Sequence, residues 1–148
     1  MNSSTFLIAL LLATVSFTAQ AAPEFLPLDV DQLRDMELER IPPFPAEIIL
    51  NGESENWESV IHQGDFVVSV FAASPAIIDI NEPFPYDEFV LVLKGEVTLT
   101  NADGGTATYK EGDTFLVPKG WMGTWDMPVR YRSDTPHSLG SAVTLWPS

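Results

Sequence analysis

The chain has 148 residues, 45% of them apolar, and this is room for one hydrophobic core. It carries 21 acidic against 7 basic residues, a formal charge of −14, which repels phosphate backbones and anionic lipid surfaces and excludes nucleic acid as a partner. Cysteine is absent, so burial alone must hold the fold, even in an oxidising compartment.

In chain order, the first segment has no charged side chain before Glu24. It holds the apolar run Phe6 to Ala13 and closes on Ala19-Gln20-Ala21. This is the pattern of a secretory signal peptide over residues 1–21, although no Lys or Arg precedes the apolar run. About a dozen apolar residues fall short of the ~20 needed to span a bilayer. The expectation is an exported protein, periplasmic or secreted, with no membrane attachment after cleavage. Residues 22–46 form a Pro-rich, acidic arm in which Asp31 to Arg40 is expected to make two or three helical turns. Leu33, Met36 and Arg40 would share one side of it. Ile41-Pro42-Pro43-Phe44-Pro45 ends any helix, because proline lacks an amide donor and restricts the residue before it. The arm is read as laid over the domain or exchanged with a second subunit.

Residues 47–148 form the domain proper. Short apolar runs separated by Gly, Pro, Asn and Asp predict strands at Glu47–Leu50, Phe66–Phe71, Ile77–Ile80, Phe89–Leu93, Glu96–Thr100, Thr106–Tyr109, Thr114–Val117, Gly123–Met127, Val129–Arg132 and Ala142–Trp146. Asn101-Ala102-Asp103-Gly104-Gly105 reads as a hairpin turn, since Asp-Gly and Gly-Gly supply positive φ. The predicted class is all-β.

Two stretches refine this reading. In Tyr86-Asp87-Glu88-Phe89-Val90-Leu91-Val92-Leu93-Lys94-Gly95-Glu96, a carboxylate precedes a glycine turn by six intervening residues. In Gly112-Asp113-Thr114-Phe115-Leu116-Val117-Pro118-Lys119-Gly120, five residues separate glycine from proline. These spacings resemble the two motifs of the cupin superfamily. The resemblance implies a double-stranded β-helix, a jelly-roll barrel whose two sheets close on each other. Trp121-Met122-Gly123-Thr124-Trp125-Asp126 is similar to the subgroup that includes the cupin domain of (S)-ureidoglycine aminohydrolase. The resemblance also implies pairing into a homodimer through the outer sheet or the arm.

The resemblance further implies positions for a catalytic metal, and here the chain departs from the family. The paired histidines fall on Asn81 and Pro83, or on Glu82 and Phe84 with the shorter spacing. The third falls on Gly123, and only the glutamate, Glu88, is retained. Transition-metal sites converge three or four protein ligands, so no metal and no other cofactor is expected. The histidines His62 and His137 lie outside both motifs and are read as loop or strand-end residues.

Strand parity puts Tyr86, Glu88, Val90 and Val92 on one face, which the resemblance points inward, and Asp87 on the other. Two readings stand for Glu88: a group that binds a cationic or hydroxylated ligand or works as acid or base, and a structural carboxylate bonded to Tyr86 or Trp125. Trp121 and Trp125 either wall a ligand site or plug the barrel. Lys119 and Arg130 are read as solvated rim charges. The leading expectation is a binding or accessory protein, with little or no catalysis, that takes a small polar or cationic molecule through Tyr86, Glu88, Trp121 and Trp125. The alternatives are a metal-assisted hydrolase or aminohydrolase and a structural dimerisation module.

Overall fold

The computed structural model of the chain describes residues 24–128 and 140–147. The signal segment, the expected strand Val129–Arg132, Arg130 and His137 lie outside the described residues. In chain order the elements are α1 (Val30–Arg34), β1 (Glu39–Ile41), a short 3-10 turn (Ala46–Ile48), β2 (Ile49–Gly52), β3 (Asn56–Gln63), β4 (Phe66–Ala73), β5 (Ala76–Ile80), β6 (Glu88–Lys94), β7 (Glu96–Asn101), β8 (Thr106–Lys110), β9 (Thr114–Val117), β10 (Gly123–Met127) and β11 (Gly140–Pro147). One six-stranded sheet has the order β1-β3-β4-β11-β6-β9 and a five-stranded sheet the order β2-β5-β10-β7-β8, with every pairing antiparallel. This is the expected all-β jelly roll.

The turns that the sequence marks are where the strands reverse. Gly95 joins β6 to β7 with φ 87°. At Gly112, φ 88°, the amide donates to the Val92 carbonyl at 2.8 Å, so the β8–β9 turn is tied across β6. A side chain is disfavoured in this left-handed region.

Alternation along β6 divides its apolar side chains between two cores, with Val90 and Val92 in one and Leu91 and Leu93 in the other. Val90, Val92, Val97, Phe115 and Val117 fill the space between the sheets, with Phe84, Leu99, Tyr109, Trp121, Trp125 and Met127 packed around them. The second core lies on the outer face of the six-stranded sheet. There Val68, Val70, Leu93 and Val143 meet Leu33 of the arm, with Met36, Leu38, Ile61 and Leu91 around them. This explains why β4 reads Phe-Val-Val-Ser-Val-Phe-Ala-Ala with no polar face: both of its sides are buried.

The arm is anchored as well as packed. Arg34 Nε donates to the Leu93 carbonyl at 3.1 Å, and its guanidinium pairs with Asp31 and Glu111. The helix is shorter than expected. Asp29 caps its start by accepting from the Gln32 amide, and the helix ends at Arg34. Residues Glu39–Ile41 pair with β3 instead, so Arg40 leaves the side shared by Leu33 and Met36 and reaches Glu55. Sheet-edge hydrogen bonds outweigh a third helical turn that Pro42 would truncate anyway. Two strands, β1 and β3, are additions to the expected set.

Leu33 is 5% exposed and plugs the outer core from a five-residue helix that cannot stand alone. Replacing Leu33 with Ala is expected to cost about 2–3 kcal/mol. Urea unfolding measures it, and the slope should stay unchanged if the barrel itself is intact.

Candidate functional site

Glu88 opens β6 and is 9% exposed. Opposite it in register is Val117 of β9; Val90, the next inward residue of β6, faces Phe115. Across the same sheet lies a polar seam. Thr144 of β11 sits opposite Val90 and opposite Ser69 of β4, and Ser69 in turn lies beside β3. The Ser69 hydroxyl donates to Glu58 Oε1 at 2.7 Å and lies 3.2 Å from the Thr144 hydroxyl. Since Ser69 has one proton to give and Glu58 takes it, Thr144 is the donor in the second bond. The chain of bonds therefore runs Thr144 to Ser69 to Glu58.

Glu58 and Glu88 thus approach each other inside the barrel from strands on either side of this seam. Burial first, and then the Glu58 charge, push the Glu88 carboxyl from its ordinary 4.5 up to about 7. Tyr86 is half-buried and packs edge-on against Phe84, with ring centroids 5.3 Å apart. Burial, followed by the charges of Glu88 and Glu58, raises its hydroxyl above the usual tyrosine value. Asp87 points the other way, as parity requires, and accepts from the Lys119 amide at 2.9 Å. That bond, with Phe84 N to Trp121 O at 3.0 Å and Gly120 N to Phe84 O at 2.8 Å, ties the loop before β6 to the loop before β10.

Beside the seam is a cavity of about 60 Å³, walled by apolar residues that include Phe71, Val90, Val92 and Trp125, with Thr144, Lys94 and Glu96 as its polar and charged lining. It is the volume of about two water molecules at ~30 Å³ each. Trp125 stands edge-on to Phe115 at 5.6 Å. Trp121 is elsewhere: its indole Nε1 donates to Asn101 Oδ1 at 2.8 Å, and its ring lines a separate groove between the sheet edges. Of the four residues expected to bind a ligand together, the structure brings Tyr86 and Glu88 into one electrostatic neighbourhood. It sets Trp125 on the adjoining cavity and Trp121 apart from that cavity. Trp121 precedes β10 rather than lying in it, so the four-residue spacing does not put the two indoles on one face.

The family's metal positions do not fit a resident metal. Asn81, Glu82 and Pro83 are exposed, and Phe84 is packed into the inner core. A Cβ at Gly123 would run into the Thr100 carbonyl oxygen and lie 2.9 Å from Trp121 Cζ2, so the space for a third ligand is already filled. Among the described residues no three His, Cys, Asp or Glu side chains converge. His62 packs at a tilt against Phe66 at the β3–β4 hairpin, with centroids 5.2 Å apart, and Lys119 is exposed.

The residue that sequence reasoning missed is Glu58. Its strand β3 carries polar residues inward, Asn56 and Glu58, and its register shifts between Val60 and His62. Apolar alternation therefore does not announce it.

A family model described as the EutQ-like cupin domain matches residues 62–132. No curated protein sequence matches the chain. Among solved structures, a protein of unknown function from Pseudomonas syringae is similar with a TM-score of 0.65 and 17% identity. The alignment covers 76% of this chain and 45% of that one, so the chain spans under half of that protein's length. The EutQ protein of Clostridium difficile is similar with a TM-score of 0.56 and 13% identity, over 78% of this chain and 83% of that one. A cupin 2 conserved barrel domain protein from Rhodopseudomonas palustris is similar with a TM-score of 0.55 and 6% identity, over 76% and 71%. At these identities the likeness is one of fold.

The pH dependence of stability checks the state of Glu88. Between pH 4.5 and about 7 the folded chain holds a proton that the unfolded chain has released, so stability falls as pH rises through that window and levels off above it. The loss by pH 8 is on the order of 3 kcal/mol, from ~1.4 kcal/mol per pH unit. Denaturant melts of Glu88→Gln should show this slope largely removed, and the variant more stable than the parent at pH 8.

Proposed function

We propose that this chain, which carries a cupin domain of the EutQ-like type over residues 62–132, is an exported binding protein that holds a small organic cation in its barrel. One observation carries the reading: Glu88, buried beside the valine, phenylalanine and tryptophan side chains of the inner core, has a second carboxylate, Glu58, acting on it. Ionising both there costs desolvation and mutual repulsion. An ammonium group relieves both costs at once, and an anion adds to them. Tyr86 and the Thr144 hydroxyl supply polar contacts beside the pair, while Trp125 offers an aromatic face suited to a cation.

Cation binding would ionise Glu88, so binding below pH 7 releases a proton and affinity rises with pH until the carboxyl is already charged. Calorimetry with methylammonium and its larger homologues, in buffers of different ionisation heat, should find close to one proton released at pH 6 and none at pH 8. Glu88→Gln and Glu58→Gln should each weaken binding at least about thirtyfold, in line with the ~2 kcal/mol minimum for truncating a buried charge pair. Amines that neither bind nor discriminate parent from variants would sink the proposal.

A narrower kinship with ureidoglycine aminohydrolase rests on the run from Trp121 to Asp126 and would place the chemistry on a metal. Exposed Asn81 and Pro83 and the filled space at Gly123 speak against it. Elemental analysis of protein purified without chelators decides: near-stoichiometric manganese, iron, nickel or zinc would replace the cation-binding reading with this one.

Export is supported by the first 21 residues. Expressed in a Gram-negative host, the chain should appear in the periplasmic fraction with Ala22 as its first residue by mass spectrometry; retention of the apolar segment there would contradict cleavage.

A further inference from the structure

At the free edges of the two sheets, β8 and β9 face each other across a groove of about 340 Å³ that shares no lining residue with the barrel cavity. Its volume falls at the low end of the ~300–1,000 Å³ range of small-molecule sites. Trp121, Tyr109, Leu99, Pro118, Asn101 and Thr106 are among its walls, and no residue lining it is charged. In a chain with a net charge of −14, an uncharged groove of this size is a local exception.

The chemistry of the walls narrows the occupant. Tyr109 already spends one ring face on Phe115, stacked at 4.5 Å with the planes 27° apart, so Trp121 is the principal stacking platform. The indole is held in place. Its Nε1 donates to Asn101 Oδ1 at 2.8 Å, and its backbone is fixed by Trp121 N to Pro118 O and by Phe84 N to Trp121 O, each at 3.0 Å. Because indole is only a donor, the Asn101 oxygen must be the atom facing it, and the amide NH₂ is directed elsewhere, next to Gly105 at the rim. Thr106 adds a hydroxyl close by.

We infer that this groove binds a neutral pyranose sugar. One face of such a ring is a set of C–H bonds that stacks on an indole, and its edge is a row of hydroxyls that suits an amide donor and a threonine hydroxyl. A planar heterocycle has two π faces and gains most from two platforms; here there is one. A charged ligand would find no counter-ion among the walls. The inference does not rest on cation binding in the barrel, and the two sites should fail separately.

The test follows the Trp121 indole N–H resonance, assigned by its absence in Trp121→Phe, while neutral methyl glycosides and disaccharides are titrated into the full-length mature chain. The expected result is a saturable shift of that resonance by at least one neutral glycoside. Asn101→Asp keeps the acceptor for the indole and removes the amide donor. It should leave the unliganded resonance near its place and weaken glycoside binding at least about tenfold, as expected where a site is built to bond a substrate hydroxyl. Glu88→Gln should not alter it. The inference is overturned if no neutral glycoside shifts the resonance, if purine or pyrimidine bases shift it and glycosides do not, or if Asn101→Asp binds as well as the parent.

Discussion

Everything distinctive about this barrel follows from placing a carboxylate, Glu88, where solvent reaches little of it and where a second carboxylate, Glu58, is the facing charge. Burying one acid in an apolar interior is costly, and placing it in the field of a second, half-buried one costs more. The surrounding seam meets part of that cost: Ser69 donates to Glu58, and Thr144 donates to Ser69. No buried side-chain nitrogen or oxygen among the described residues lacks a partner. The remaining strain appears as a Glu88 that holds its proton to about pH 7. Perturbed groups of this kind gather at functional sites, because acid, base and binding roles need protonation tuned to the task.

The scaffold affords this site by having a core on each side of the six-stranded sheet. The inner core sets the two sheets face to face, and the outer one is closed by Leu33, Met36 and Leu38 from the arm. With β4 buried on both faces, the central strands that carry Ser69 and Thr144 are held rigidly, without any disulfide. Arg34 connects the arm to the Leu93 carbonyl of β6 and to Glu111 in the β8–β9 turn. The arm is therefore a structural layer over the strand that Glu88 opens, more than a loose extension.

The absence of a ligand side chain at residue 123 and the aromatic groove meet at Gly123 and Trp121. With no Cβ at residue 123, the Thr100 carbonyl and the Trp121 ring close over the space that a ligand side chain would need. The indole that fills this space also forms a wall of the groove at the β8 and β9 edges.

The amino-acid sequence alone determined the all-β class, the positions of most strands, the turns at Gly95 and Gly112, and the common face of Glu88, Val90 and Val92 along β6. These are local matters, settled by alternation, by glycine's tolerance of positive φ and by proline's missing donor. Tertiary structure decided the rest. It took Glu39–Ile41 from a helix into a sheet edge, brought Glu58 to Glu88 from 30 residues away, and separated Trp121 from Trp125 although four positions divide them. Which side chains meet across a barrel depends on strand order, register and bulges such as the one between Val60 and His62. Those are fixed by long-range hydrogen-bond pairing and burial summed over both sheets, which no short window of sequence contains.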